Sequence, residues 1–272
     1  MLSEFVKLIR PMDCFIAALG AFIGYSLSIK GIALNETVLF AMLAVFFVCA
    51  GGQAVNDFFD FEVDKKTNKN KPLVKGSISK NTALIFSLSL FAVGIIFSFF
   101  INSIALISAV FFSLLLISYS ALMKKIKYVG NFVVSFSAAF TILFGATISM
   151  NFFLPFILFV SAFFANTARE IIKDLEDLGT EKGIKITLPQ LLPKKIVEGI
   201  IVLFYVIAVL IGFYPFFLGL FSSVQYLLLM SFSVIFFALS LAELFKKNFL
   251  CSQQHSKRAM LLGLIAFLFA VI

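Results

Sequence analysis

Nine stretches of this chain are apolar over lengths that cross, or nearly cross, a lipid bilayer, and that property excludes most folds. They lie at about 13–30, 36–58, 81–100, 103–123, 129–150, 152–173, 196–214, 220–245 and 258–272. One of them contains VLFAMLAVFFVCAGG, fifteen residues without a charge. Segments of this length and apolarity read as transmembrane helices. Composition agrees, with 61% hydrophobic residues, 13% charged and a mean hydropathy of +1.08, outside the range of a water-soluble domain of this length. The expectation is an all-α, polytopic membrane protein of about nine transmembrane helices, a single domain over residues 1–272. The ninth helix is short unless Ser256 to Arg258 sit deep in the interface. The first apolar run is too long for a cleavable signal peptide and is followed by further spans. Cys14, Cys49 and Cys251 have no metal or disulfide spacing and read as small apolar residues.

The net charge of +8 does not point to nucleic acid, because its placement follows the membrane. Of the 22 basic residues, all but Lys30 fall in or beside alternate connections of a nine-span chain. Positive charge gathers on the cytoplasmic side of membrane proteins. The amino terminus is therefore expected inside and the carboxyl terminus outside. The connections near 101–103, 150–152 and 214–219 are short and uncharged, so chemistry is expected at the cytoplasmic face. No obligate protein partner is evident.

The acids are less evenly spread than the bases. Nine of the 14 fall in two clusters: Asp57, Asp60, Glu62 and Asp64, then Glu170, Asp174, Glu176, Asp177 and Glu181. Each ends an apolar run on the cytoplasmic side. On a helix turning about 100° per residue, Asn56, Asp60 and Asp64 share one face, and Glu170, Asp174, Asp177 and Glu181 form a narrow stripe. Glu62 and Glu176 point elsewhere and read as solvated. Like charges stacked on a helix face repel, and a helix C-terminus worsens this. A bound cation removes both objections, and open sets of hard oxygen ligands suit Mg²⁺, which keeps waters and bridges to substrate phosphates. The plain alternative for either cluster is a solvated loop.

These residues resemble a known family. NDFFDFEVD (56–64) resembles the NDxxDxxxD motif of the UbiA superfamily of intramembrane prenyltransferases. DLEDLGTE (174–181) resembles its second motif, DxxDxxxD, with Glu181 at the last position. Asn70-Lys71-Pro72 with Gly76 is similar to the family's Asn-Arg-Pro loop, with Lys in place of Arg and Val74-Lys75 in place of Pro-Ser, and YSALMKKIKYVGN is similar to its next cytoplasmic connection. NTAREIIKDLEDLGTEKGIKITLP resembles most the archaeal members that add a second C20 chain to geranylgeranylglyceryl phosphate.

The resemblance implies helices bundled around a central cavity open to the cytoplasmic face and to lipid. It implies an isoprenyl diphosphate donor, a lipid phosphate acceptor, and two Mg²⁺ ions bridging the diphosphate, which stabilise the leaving group as the allylic C–O bond breaks. One ion would rest on Asn56, Asp60 and Asp64, the other on Asp174, Asp177 and either Glu170 or Glu181. Lys71, Lys75, Tyr119 and Lys124, near loop 65–80 and the next connection, would bind the diphosphate. Arg169 and Lys173, with Lys182 or Lys185, would serve the acceptor phosphate. Lys80, Lys127, Lys246 and Lys247 read as solvated, and His255 as interfacial beside basic loop residues. Two alternatives stay open: prenylation of an aromatic quinone precursor, and a divalent-cation transporter, although transporters place acids nearer mid-bilayer.

Overall fold

The computed structural model of the chain describes residues 2–67, 70–123, 129–178 and 187–272. The apolar runs fold as helices: α1 (Leu2–Ile9), α2 (Pro11–Ile29), α3 (Glu36–Lys66), α4 (Lys80–Phe99), α5 (Ser103–Ala121), α6 (Val129–Ala146), α7 (Phe153–Asp177), α8 (Leu188–Leu191), α9 (Lys194–Phe217), α10 (Val224–Phe245) and α11 (Phe249–Phe269). Eight of these, α2 to α7, α9 and α10, are long and apolar enough to cross a membrane. Among the described residues α11 is as long, but its first half carries Ser252 to Arg258 and it is not one of the eight.

The helices run beyond the apolar stretches in ways that matter for chemistry. The acidic run after residue 58 is helical, because α3 continues to Lys66. Lys65 and Lys66 in its last turn suit the negative end of the helix dipole, and the Thr67 hydroxyl closes it by donating to the Val63 carbonyl at 2.9 Å. Likewise α7 runs to Asp177. Helix α11 starts at Phe249, not near residue 258, with Asn248 as its cap. Its polar start misled the hydropathy reading, because Ser252 and Gln253 there are bonded to Ser240 of α10 and Glu176 of α7. Four other helices begin with the same device: Asn35, Ser79, Asn102 and Ser223 each accept from the N–H three residues on. Helix α1, eight residues long, is too short to register as an apolar run.

Packing sorts the chain into two compact units, Met1–Phe22 with Leu34–Lys125, and Ile23–Ala33 with Ile126–Ile272. In the first, Cys14, Ala50 and Leu90 form a buried cluster with Phe46 and Phe86 against it. A second cluster joins Leu8, Ala54 and Ala83 to Leu73 and Ile78 of the connection between α3 and α4, so that connection is pinned to the helices. In the second unit, Ala165, Ala168 and Ile172 of α7 pack with Val197, Ile201 and Tyr205 of α9, and with Phe237 of α10 and Ala259 of α11. Buried hydroxyls stitch these helices together. Tyr205 Oη lies 3.2 Å from Ser240 Oγ, Ser240 and Ser252 exchange bonds to each other's carbonyls at 2.8 Å, and Ser233 donates to the Ala259 carbonyl at 2.8 Å. Helices in lipid gain nothing from burying apolar surface against one another, so small residues and such hydroxyls carry the association. Large side chains such as Ile85, Ile107 and Phe217 are left exposed, as a lipid-facing surface requires.

Gly24 marks the closest approach in the second unit. A Cβ added there would lie 1.8 Å from the Ile142 carbonyl oxygen of α6, a backbone atom that cannot turn aside. Gly24→Ala is therefore expected to destabilise the protein by about 1–3 kcal/mol. Thermal unfolding in detergent micelles checks this: a Tm equal to that of the unsubstituted protein would contradict the close packing of α2 on α6.

Candidate active site

The last three turns of α3 carry the first acidic motif, and two of its acids are nearly out of reach of solvent: Asp57 is 3% exposed and Asp64 2%. They lie seven residues apart, about 10.5 Å along the axis and on one face. Lys71 spans that gap, its Nζ donating to Asp57 Oδ1 at 2.9 Å and to Asp64 Oδ2 at 2.6 Å. From the other side Arg10 donates through Nη2 to the same Asp57 oxygen at 2.8 Å and through Nη1 to Gln53 Oε1 at 2.7 Å. Asn56 and Asp60 occupy the next strip of the helix, the Asn56 amide donating to Asp60 Oδ2 at 3.1 Å.

Local sequence explains how both cations reach the acids. Pro72 to Lys75 form a single turn ended by Gly76, with Gly76 N–H bonded to the Leu73 carbonyl and Ser77 N–H to the Pro72 carbonyl. This is the Schellman closure, and Gly76 has the positive φ, +72°, that it demands. Leu73 and Ile78, buried on Leu8 and Ala54, fix the turn so that Lys71 points back along α3. Arg10, between α1 and α2, has φ +48°, an unfavourable backbone for an arginine, while its carbonyl accepts from Asp13 N–H at 3.0 Å and starts α2. Burial alone would lower the Lys71 pKa. The Asp57 charge and the hydrogen bonds the ammonium donates to Asp64 and Asp57 outweigh it and hold its pKa above the usual value.

In the second unit α7 presents the other motif. Asp174 is 5% exposed and accepts from the Asn131 side-chain amide of α6 at 2.6 Å. Glu170, also buried, is flanked by Arg169 at 3.1 Å and Lys173 at 3.5 Å. The Arg169 Nε is buried without a hydrogen-bond partner. Asp177 is half-buried, and exposed Glu176 is bonded by Gln253 of α11. Glu181, Lys124, Lys127, Lys182 and Lys185 lie outside the described residues.

Most of the expected site residues thus stand at or near the ends of α3 and α7, each set within its own unit. Lys71 is on the acids; Lys75 is exposed, and Tyr119 is half-buried near the end of α5. Lys80, expected to be solvated, is exposed, with its Nζ 5.1 Å from the Phe58 ring centre. Lys246 and Lys247 are exposed as expected. His255 corrects the reading, since it lies within α11 and not beside a loop, its ring 5.8 Å from that of Phe236. Sequence reasoning passed over Arg10, Asp57 and Asn131. The seven-residue spacing of Asp57 and Asp64, which returns to the same helix face, is the signal that could have found Asp57. Arg10 and Asn131 reach their acids from distant parts of the chain, and no local pattern marks them.

The donor set suits a hard divalent cation. Asp64 already accepts a hydrogen bond from the cationic Lys71, and the ligand atoms on both faces are carboxylate and amide oxygens. Among the described residues no three His, Cys, Asp or Glu side chains converge into a ready-made cage. An ion held there would complete its shell with water or phosphate oxygens, the usual manner of Mg²⁺.

A membrane helical bundle with two acidic, Asn-flanked helix ends is the arrangement of an intramembrane prenyltransferase. The UbiA prenyltransferase family model matches residues 17–271, and the chain belongs to that family. It is 34% identical to the digeranylgeranylglyceryl phosphate synthase of Methanopyrus kandleri over 269 residues, 98% of each chain. With that of Thermococcus kodakarensis it shares 34% over 215 residues, 78% of this chain and 77% of the relative. Its fold superposes on a solved structure of digeranylgeranylglyceryl phosphate synthase with a TM-score of 0.80 at 34% identity, covering 100% of this chain and 98% of the other. A UbiA homologue from Archaeoglobus fulgidus, solved bound to GPP and Mg²⁺, shares the fold at a TM-score of 0.74 and 20% identity, over 99% of each chain.

Removing the amide that Asn131 gives to Asp174 tests the second site directly. Asn131→Leu leaves that carboxylate short of a buried donor and is expected to cost about 1–3 kcal/mol. An unchanged melting temperature would mean that the 2.6 Å contact contributes nothing to holding α6 on α7.

Proposed function

We propose that this chain, as one membrane domain over residues 1–272, transfers the geranylgeranyl group of geranylgeranyl diphosphate to the free hydroxyl of geranylgeranylglyceryl phosphate. The observation that carries the proposal is the pair of buried acidic helix ends, Asp57 and Asp64 held by Lys71, and Asp174 held by Asn131. The near-complete alignment with digeranylgeranylglyceryl phosphate synthases supports the choice of substrates. In the reaction the C1–O bond of the donor breaks, its electron pair leaving on diphosphate. The acceptor hydroxyl oxygen bonds to C1, and its proton passes to diphosphate or water.

Two Mg²⁺ ions, when bound, would neutralise the charge that builds on the leaving diphosphate. Asn56, Asp60 and Asp64 would hold one ion, and Asp174, Asp177 and either Glu170 or Glu181 the other. Lys71, Lys75, Tyr119 and Lys124 would orient the diphosphate oxygens, the lysines as point charges. Apolar surroundings would keep water from the allylic cation. Arg169 and Lys173 would bind the acceptor's phosphate, which an aromatic acceptor lacks, and the partnerless Nε of Arg169 favours an anion there. The placement of Lys and Arg supports a cytoplasmic site and amino terminus with an outer carboxyl terminus.

Incubating purified protein with Mg²⁺, geranylgeranyl diphosphate and either the glycerol phosphate lipid or an aromatic acid, then weighing the products, tests the reading. Only the lipid phosphate is expected to gain a C20 chain, and EDTA is expected to stop the reaction until Mg²⁺ is restored. Prenylation of the aromatic acid alone, or full turnover without metal, would contradict it. Arg169→Ala is expected to raise the acceptor KM by the equivalent of about 1.5–3 kcal/mol while the donor KM moves much less. A stable variant with unchanged acceptor KM would leave Arg169 as a brace for Glu170.

A further inference from the structure

Asp57 is buried and ion-paired, yet the mechanism above gives it nothing to do. We propose that Asp57 is a positioning residue that holds two cations, Lys71 and Arg10, beside the first acidic face, and that Arg10 is thereby a further diphosphate-binding residue. This rests on the prenyl-diphosphate reading of the site.

The geometry sets Asp57 apart from its neighbours. One oxygen, Oδ1, accepts from both Arg10 Nη2 at 2.8 Å and Lys71 Nζ at 2.9 Å. A carboxylate oxygen shared by two cations repels a third, so Asp57 is poorly suited to ligate metal. Lys71 has a second partner in Asp64 at 2.6 Å, and Asp64 is the member of the pair that lines up with Asn56 and Asp60. When Asp64 turns to an ion, Lys71 loses one acceptor but keeps the other. Its ammonium has three donors, so with one on Asp57 two remain for phosphate oxygens. Asp57 is thus the fixed end of a lysine whose other end is exchanged.

Arg10 is placed by the same carboxylate. Its guanidinium spends two of five N–H donors on Gln53 and Asp57. Its side chain is 38% exposed, against 3% for Asp57, so the remaining face can be reached by a ligand. The left-handed backbone at Arg10 sets this side chain at the junction of α1 and α2, over the acidic turn of α3. In the free protein Lys71 and Arg10 stand against two carboxylates, Asp57 and Asp64; once Asp64 turns to an ion, the two cations face Asp57 alone, and that surplus suits a polyanion.

Inorganic pyrophosphate titrated calorimetrically into the detergent-solubilised protein, with Mg²⁺ saturating, reads the effect without turnover. Asp57→Asn is expected to weaken pyrophosphate binding by about tenfold or more, Arg10→Met by several-fold, and Asp57→Glu is expected to restore most of the affinity. In an Arg10→Met/Lys71→Met background, Asp57→Asn is expected to add no further loss, because the residue acts through those cations. Wild-type affinity in Asp57→Asn, or an equal loss with and without the two cations, would overturn the proposal. If Asp57→Asn does not fold, Arg10→Met decides: wild-type affinity there overturns it. Failure of the unsubstituted protein to bind pyrophosphate would instead remove the prenyl-diphosphate reading on which it stands.

Discussion

A carboxylate at the end of an apolar helix, shut off from water, must be neutralised by something within reach, and the site described here is organised by that requirement. Leaving such a group unpaired is among the most costly defects a protein can contain. The Lys71 ammonium answers it for Asp57 and Asp64 and the Arg10 guanidinium answers it again for Asp57, while the Asn131 amide gives Asp174 a hydrogen bond but no charge. Each solution reaches back into the fold. Lys71 is delivered by a turn that needs Gly76 and is nailed down by Leu73 and Ile78, and Arg10 by a left-handed residue between two helices. These are also the groups a diphosphate and its metal ions would meet first. On the proposed reading, neutralisation in the free protein and substrate binding draw on the same side chains.

The bundle that carries these acids has no hydrophobic effect to hold its helices together in lipid. It relies instead on close approaches such as Gly24 on Ile142 and on hydroxyls buried between helices, such as Tyr205 with Ser240. Packing of that kind is short-range and fixes helix ends to within a narrow tolerance. Acidic faces at the last turns of α3 and of α7, each within its own unit, benefit, because ligands must be aimed before substrate arrives.

The fold was largely legible in the sequence because hydrocarbon imposes one simple rule on long apolar runs. The acidic faces were legible for a related reason: at about 100° per residue, spacing alone says which side chains share a helix face. What escaped was whatever depends on chain segments meeting in space. Arg10 lies 47 residues from Asp57 and Asn131 lies 43 from Asp174, separations that carry no periodic signal. The start of α11 escaped because polar residues between 252 and 258 read as a loop, although Ser252 is fully buried and bonded to Ser240. Polar side chains satisfied by neighbouring helices look the same in sequence as side chains satisfied by water.

The central claim is that the two acidic helix ends each hold a divalent ion together with the donor's diphosphate. Anomalous diffraction at the manganese edge, from crystals grown with Mn²⁺ and an unreactive thiolodiphosphate analogue of the donor, tests it most directly. The account predicts one peak within bonding distance of Asp60 and Asp64 and a second beside Asp174 and Asp177, with the Lys71 ammonium moved from Asp64 onto a phosphate oxygen. Manganese absent from either face, with Lys71 still bridging Asp57 and Asp64 while the analogue is bound, would contradict it.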